Sequence, residues 1–216
     1  MFNHRFIFIT ILFIVFISSF AFGMESDKGT DYDNKTEAVL LRIKQAASKI
    51  ETLEGEFIQK KKISILKDMP DSYGRFYYQS PDRLRWEIVK PVTMGFIING
   101  DHGKKWNGKE GKSRRFDVSK DPIISVISTQ VFAWAKGDFE KLKTGYDVSI
   151  LSEDPVEVKL LPLSEMEKKY IDSIVLAFSE NDYHINNIEI NDKKGGSTKI
   201  TFYNMVVNAG IEGDIF

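Results

Sequence analysis

Apolar residues follow three rhythms along this chain. Residues 6–17 are almost continuously apolar, with Thr10 the one interruption. Between 36 and 50 the rhythm is helical. Val39, Ile43, Ala46, Ala47 and Ile50 recur at three- and four-residue intervals, with Leu53 just beyond, which predicts an amphipathic helix over 36–50. Asn34 stands three residues before Glu37 and reads as its capping box. After this helix the period falls to two. Strands are predicted near 54–65, 71–79, 82–89, 93–99, 104–107, 112–117, 146–151, 156–162, 171–179, 185–191 and 198–206. Ser80-Pro81-Asp82, Asn99-Gly100, Asn107-Gly108 and Lys194-Gly195-Gly196 mark turns between them. Links this short favour antiparallel neighbours, because a parallel pair needs a long crossover. One helical stretch interrupts the series at 121–143. Pro122 starts it, and Ile123, Ile127, Val131 and Trp134 keep helical spacing; a short second helix is expected around Phe139 and Leu142.

The first rhythm carries a compartment signal. Arg5 precedes the apolar run, and Ser18, Ser19 and the small-x-small site Ala21-Phe22-Gly23 follow it. That order reads as a secretory signal peptide over 1–23. The apolar stretch is short for a membrane span of about 20 residues. Export leaves a flexible lead-in over 24–35 and a single domain over 36–216, large enough to bury a core without staples. The chain has no cysteine, so the exported domain has no disulfides and no thiol chemistry, and a lipid anchor on a cysteine is excluded. Its formal net charge of −1 gives no sign of a nucleic-acid partner.

Candidate chemistry is thin. Beyond the signal the histidines are His102 and His184. Asp101-His102 lies beside a predicted turn, where polar residues belong anyway. Metal-ligand spacing and a glycine-rich phosphate loop are both absent from the sequence. No catalytic residue, metal ligand or cofactor is expected, and the chain is read as a non-enzyme. Lys60-Lys61-Lys62 reads as a solvated strand edge.

The strand faces say more. Phe76 and Tyr78 share one face of their strand; Leu84, Trp86 and Ile88 share another, with Arg83, Arg85 and Glu87 opposite; Met94, Phe96 and Ile98 share a third. Hairpin neighbours place these faces on one concave surface. A curled sheet of about eleven strands encloses more room than its own side chains readily fill. The inserted helices or a ligand must fill the rest.

These residues resemble a known family. Ser80-Pro81-Asp82-Arg83-Leu84-Arg85-Trp86-Glu87, then Pro91, Ile97-Ile98-Asn99-Gly100 and Trp106, are similar to the signature of the periplasmic outer-membrane lipoprotein carrier family, LolA. Leu53-Glu54-Gly55-Glu56-Phe57-Ile58-Gln59-Lys60 resembles the family's Phe-x-Gln strand, and Ile200-Thr201-Phe202-Tyr203-Asn204 with Asn208 resembles its last strand region. The resemblance implies an incomplete antiparallel β-barrel of about eleven strands covered by a helical lid. It implies a monomeric periplasmic carrier that takes lipoproteins from an inner-membrane exporter to an outer-membrane receptor, with their acyl chains in the cavity. Phe57, Phe76, Tyr78, Leu84, Trp86, Ile88, Met94, Phe96 and Ile98 then form the cavity wall. Ile123, Ile127, Val131 and Trp134 form the lid. Arg85 contacts the lid or a cargo head group, since the family's arginine before the proline is Ser80 here. The family's Phe-x-x-Pro tail has no counterpart before Phe216. Carriage of another envelope lipid, or an envelope sensor of lipoproteins on the same fold, would use the same parts.

The physics of such a carrier is simple. Each CH₂ buried is worth about 0.8 kcal/mol, so one long acyl chain represents roughly 10 kcal/mol. A lid with contacts of its own in the free state offsets part of that gain and permits release.

Overall fold

The computed structural model describes residues 30–63, 69–108, 113–211 and 213–216; the predicted signal peptide and the first part of the lead-in lie outside them. The strands are β1 (Thr52–Lys62), β2 (Ser72–Gln79), β3 (Arg83–Lys90), β4 (Met94–Asn99), β5 (His102–Asn107), β6 (Ser113–Asp117), β7 (Tyr146–Glu153), β8 (Val156–Pro162), β9 (Ile171–Phe178), β10 (Ile185–Asp192) and β11 (Ser197–Val207). The helices are α1 (Thr30–Ala47), α2 (Pro122–Ala135) and α3 (Phe139–Lys143). All eleven predicted strands are present, and so is the helical interruption between β6 and β7.

The strands form one sheet in the order β6-β5-β4-β3-β2-β1-β11-β10-β9-β8-β7. Pairing is antiparallel throughout. Each strand lies beside its sequence neighbour, except where β1 meets β11 and joins the two ends of the domain. β6 and β7 are not paired with each other. The sheet is therefore an unclosed barrel, and the helices α2 and α3 are the chain that runs from one open edge to the other.

α1 starts at Thr30, earlier than the predicted boundary. Residues 30–35 are helical rather than part of a lead-in, and Asn34 lies inside the helix rather than at its cap. The helix also ends earlier, at Ala47, and a tight turn with Ile50 N–H on Ala47 O at 3.0 Å carries the chain into β1. Val39, Leu40, Ile43 and Ala47 are buried as the periodicity requires.

α2 is fixed at both ends. Asp121 caps it: one carboxylate oxygen accepts from Ile124 N–H at 3.3 Å, and the other pairs with Lys105 of β5. At the far end Gly137 adopts φ +58, and Asp138 N–H reaches back to Ala133 O at 2.8 Å, a glycine-terminated helix end. A Cβ at Gly137 would sit 3.1 Å from the α1 backbone at Lys44, so α1 crosses α2 tightly there.

Two packed cores result. One lies beneath α1 and α3 and joins Val39, Leu40 and Ile43 to Phe139, Leu142, Tyr146 and the inward residues of β8–β10. The other joins Phe57, Phe76, Tyr78, Leu84, Ile88, Met94, Phe96 and Ile98 of β1–β4 to Ile124 of α2. The second is organised by Phe57, which is fully buried and stacks on Trp86 with ring centroids 4.2 Å apart. Phe57 fits only because its partner across the β1–β2 ladder is Gly74. A Cβ on Gly74 would overlap both the Phe57 ring and the backbone oxygen of Glu87, and backbone cannot move aside cheaply. Gly74→Ala is expected to destabilise the domain by at least about 3 kcal/mol, read as a lower urea midpoint; an unchanged midpoint would show that this packing is slack.

Candidate functional site

Between the two cores, beneath the middle of α2, the inner face is not filled. The centre of a water-sized sphere can move through about 170 Å³ there, room on the order of ten water molecules. Both halves of the sheet contribute walls. Phe76, Tyr78, Leu84, Trp86 and Phe96 come from β2–β4, with Leu53 of β1 beside them. Ile174, Ile188, Ile190, Ile200, Phe202 and Met205 come from β9–β11. Ile127, Gln130, Val131, Trp134 and Ala135 of α2 form the roof. An aromatic group anchors the floor: Phe202 meets Phe76 at 5.2 Å and Trp86 at 6.0 Å, both edge-on.

The sequence-predicted residues divide in two. Phe76, Tyr78, Leu84, Trp86 and Phe96 face the cavity, and so do Ile127, Val131 and Trp134 of α2. Phe57, Ile88, Met94 and Ile98 are buried within the core of β1–β4 and are not among the cavity walls. Phe57 lies beneath Trp86, and the first turns of α2, through Ile124, together with Phe116 and Val118 fill the β4 end. Ile123 lies in α2, but its side chain is outside the described residues.

Arg85 lies on the opposite face of β3 from Trp86, as strand alternation demands. It donates to Glu87 Oε1, from Nε at 2.9 Å, and to the backbone oxygen of Ile215 at 2.9 Å. Its guanidinium stands 5.6 Å from the Trp106 ring. These are contacts of the outer face and the C-terminal segment, not of the helices that roof the cavity. The same segment is fastened at its start. Asn208, at φ +57, accepts from Glu51 N–H at 2.7 Å and donates to Lys49 O at 2.9 Å. Thr52 Oγ1 donates to Ala209 O at 2.6 Å.

Four side chains bring polar atoms to a wall that is otherwise apolar or tyrosine: Trp86, Gln130, Trp134 and His184. His184 Nδ1 hydrogen-bonds Asp182 Oδ1, and Ser179 Oγ donates to the same oxygen. Burial acts to raise the Asp182 carboxyl, but the hydrogen bond from Ser179 and the charge and hydrogen bond of His184 outweigh it and hold the group below the usual carboxylate range. Ser179 approaches His184 at Nδ1 as well, at 3.3 Å. A nucleophile relay needs serine and aspartate on different ring nitrogens, so these three side chains do not form one. Burial pushes the Tyr146 phenol up, and it stays neutral in the wall. Among the described residues no three His, Cys, Asp or Glu side chains converge as metal ligands. His102 is at the start of β5, exposed and 3.1 Å from Asp117, and is not among the residues that line the cavity.

Reasoning from the sequence misses the β9–β11 wall. The same alternation is there to read in Ile188 and Ile190, and in Ile200 and Phe202. Two irregularities hide the rest. A register shift between Ile185 and Asn187 brings Ile185 onto the inner side. At Glu54–Glu56 the β1–β11 ladder also slips; Asn204 takes φ +52 there, and the next residue, Met205, turns inward.

Residues 48–216 match the family described as outer membrane lipoprotein carrier protein LolA. An outer-membrane lipoprotein carrier protein of Methylococcus capsulatus is 24% identical over 185 residues, covering 81% of this chain and 80% of that one. The fold is also similar to that of MucB, with a TM-score of 0.51 at 12% identity over 83% of this chain and 61% of that one. An uncharacterized conserved protein of Thermus thermophilus gives a TM-score of 0.51 at 10% identity, over 81% of this chain and 88% of that one. No helix among the described residues is long and apolar enough to cross a membrane.

The outer-face ion cluster yields a pH prediction. Glu87 has a side chain only 8% exposed and pairs with both Arg75 and Arg85. Burial alone would raise its carboxyl, but hydrogen bonds and charge from the two arginines hold it below the usual range. A depressed folded-state value stabilises fully above the ordinary carboxylate range, about pH 4.3, and the gain is lost as pH falls through the folded value. Glu87→Gln should cost about 2 kcal/mol near pH 7, the size of a hydrogen bond to a charged group, and flatten the decline of urea stability below about pH 5. An acid limb unchanged in the variant would contradict this.

Proposed function

The chain belongs to the LolA family of outer membrane lipoprotein carrier proteins, and from that premise we propose that it is an exported carrier whose cavity shelters the acyl chains of lipoproteins in transit. Export through the predicted signal peptide places it in the periplasm. It receives cargo from an inner-membrane exporter and delivers it to an outer-membrane receptor, with no covalent chemistry on the way. The observation that carries this reading is the unfilled apolar space between two well-packed cores, roofed by a helix fixed at both ends.

Packing energetics favour an occupant. An unfilled apolar hollow leaves its lining side chains without contacts on one side. A hydrocarbon chain restores those contacts and leaves water at the same time. The space is smaller than a lipoprotein's full set of chains needs, so loading lifts α2. The attachments of α2 at Lys105 and against α1 are then the contacts that oppose loading and assist release.

Incubation of the processed protein with inner-membrane vesicles carrying radiolabelled lipoproteins tests the reading. Labelled lipoprotein should enter the supernatant in complex with the carrier when the exporter is active. Label that stays wholly with the vesicles would overturn it. Ala135→Phe, which pushes a ring into the cavity from the roof, should weaken binding of a fluorescent acyl probe by at least about tenfold, or 1.4 kcal/mol, with far-ultraviolet circular dichroism unchanged. Undiminished probe binding would place the acyl site elsewhere.

A further inference from the structure

Two polar atoms on α2 are buried without a hydrogen-bond partner: Oε1 of Gln130 and Nε1 of Trp134. Both residues line the cavity, but the two atoms themselves are sealed from it in the empty protein, so a ligand group reaches them as α2 lifts. They are four positions apart, so one helical turn brings them to the same face. A buried donor or acceptor left unpaired is costly, and most proteins avoid it. Here two occur side by side in the roof of the cavity, and nowhere else among the described side chains.

Their chemistry defines what would pair with them. An indole N–H can only donate, so the group facing Trp134 must be an acceptor. A hydrocarbon tail offers none, whereas the carbonyl that joins the tail to its head group does. The Gln130 amide accepts from a neighbouring N–H or hydroxyl, or donates to a second carbonyl when turned over. We propose that Trp134 and Gln130 form a hydrogen-bonding site for the acyl carbonyl of the cargo, so that the ester or amide linkage is held under α2 while the chain runs along the floor. The site rests on the carrier reading and refines it: α2 recognises the linkage as well as covering the tail. A carbonyl here completes bonds that the empty protein lacks, whereas a bare hydrocarbon would leave Trp134 unpaired.

The test compares ester-linked with ether-linked probes, which differ in the carbonyl alone. Two matched pairs are used: a diacyl lipopeptide with its dialkyl ether, and diacyl phosphatidylglycerol with its dialkyl ether. Binding is followed by calorimetry for the full processed protein, for Trp134→Phe and for Gln130→Leu. Wild type should bind the ester about fivefold more tightly than the ether, the size of one net hydrogen bond. Trp134→Phe should lose that preference, binding ester and ether alike at whatever affinity the smaller ring leaves. Gln130→Leu should reduce the preference in part. A preference confined to the lipopeptide pair names lipoprotein as the source of the carbonyl, and one confined to the phosphatidylglycerol pair names membrane lipid. Equal, measurable binding of ester and ether by wild type, or a preference surviving in Trp134→Phe, would overturn the carbonyl site while leaving the carrier reading intact. Failure of every probe to bind would overturn both.

Discussion

An antiparallel sheet that curls without pairing its two edge strands has an apolar inner surface and nothing to seal it. Everything else in this domain answers that constraint. β6 and β7 are the unpaired edges, and the polypeptide between them is the apolar helix α2 followed by α3. The chain therefore covers its own opening with the segment that connects the two edges. α1, arriving ahead of β1, packs on the β7–β10 half, while the start of α2 packs on the β1–β4 half. Each helix completes one core. Neither fills the space where the two cores meet, and the cavity lies there.

The balance of forces at that boundary suits reversible binding. α2 is held where it begins, by Asp121 with Lys105, and where it ends, by the close passage of Gly137 over α1. Its middle presents apolar side chains to the cavity together with two residues whose buried polar atoms have no partner. Such a helix is a cover with firm ends and a weakly committed centre. On the other side of the sheet, Arg75, Glu87, Arg85 and the backbone of Ile215 tie the C-terminal segment to β2 and β3. These bonds brace the outer side of the wall that carries Phe76 and Trp86.

Much of this is legible in the sequence, for a definite reason. Strand alternation is a strict period of two, and turns such as Asn99-Gly100 fix where it restarts, so the inward set of β2–β4 can be named residue by residue. What cannot be named is depth. Trp86 and Phe57 both face inward, yet one lines the cavity and the other lies in packed core beneath it, because Gly74 lets Phe57 sink against β2. Local irregularity is equally hidden: the positive φ of Asn204 precedes the inward turn of Met205. The start of α1 falls late in the sequence reading because Asn34 looks like a cap even within a helix. Family analogy draws Arg85 toward the lid, although its alternation with Trp86 already places it outside. Gln130 escapes notice because a lone glutamine in an apolar helix ordinarily reads as the solvent side. Only the fold shows that α2 turns it toward the cavity.

A carrier role requires hydrocarbon on the inner side of this sheet. The direct measurement is photolabelling of the processed protein by a lipopeptide whose acyl chain carries a diazirine near its end, with the attachment sites located by peptide mass spectrometry. Adducts are expected on inner-face residues of both halves, such as Leu84 and Phe76 on one side and Ile188 and Phe202 on the other. Adducts confined to outward residues such as Tyr77, or to the exposed Leu41 and Leu151, would contradict it.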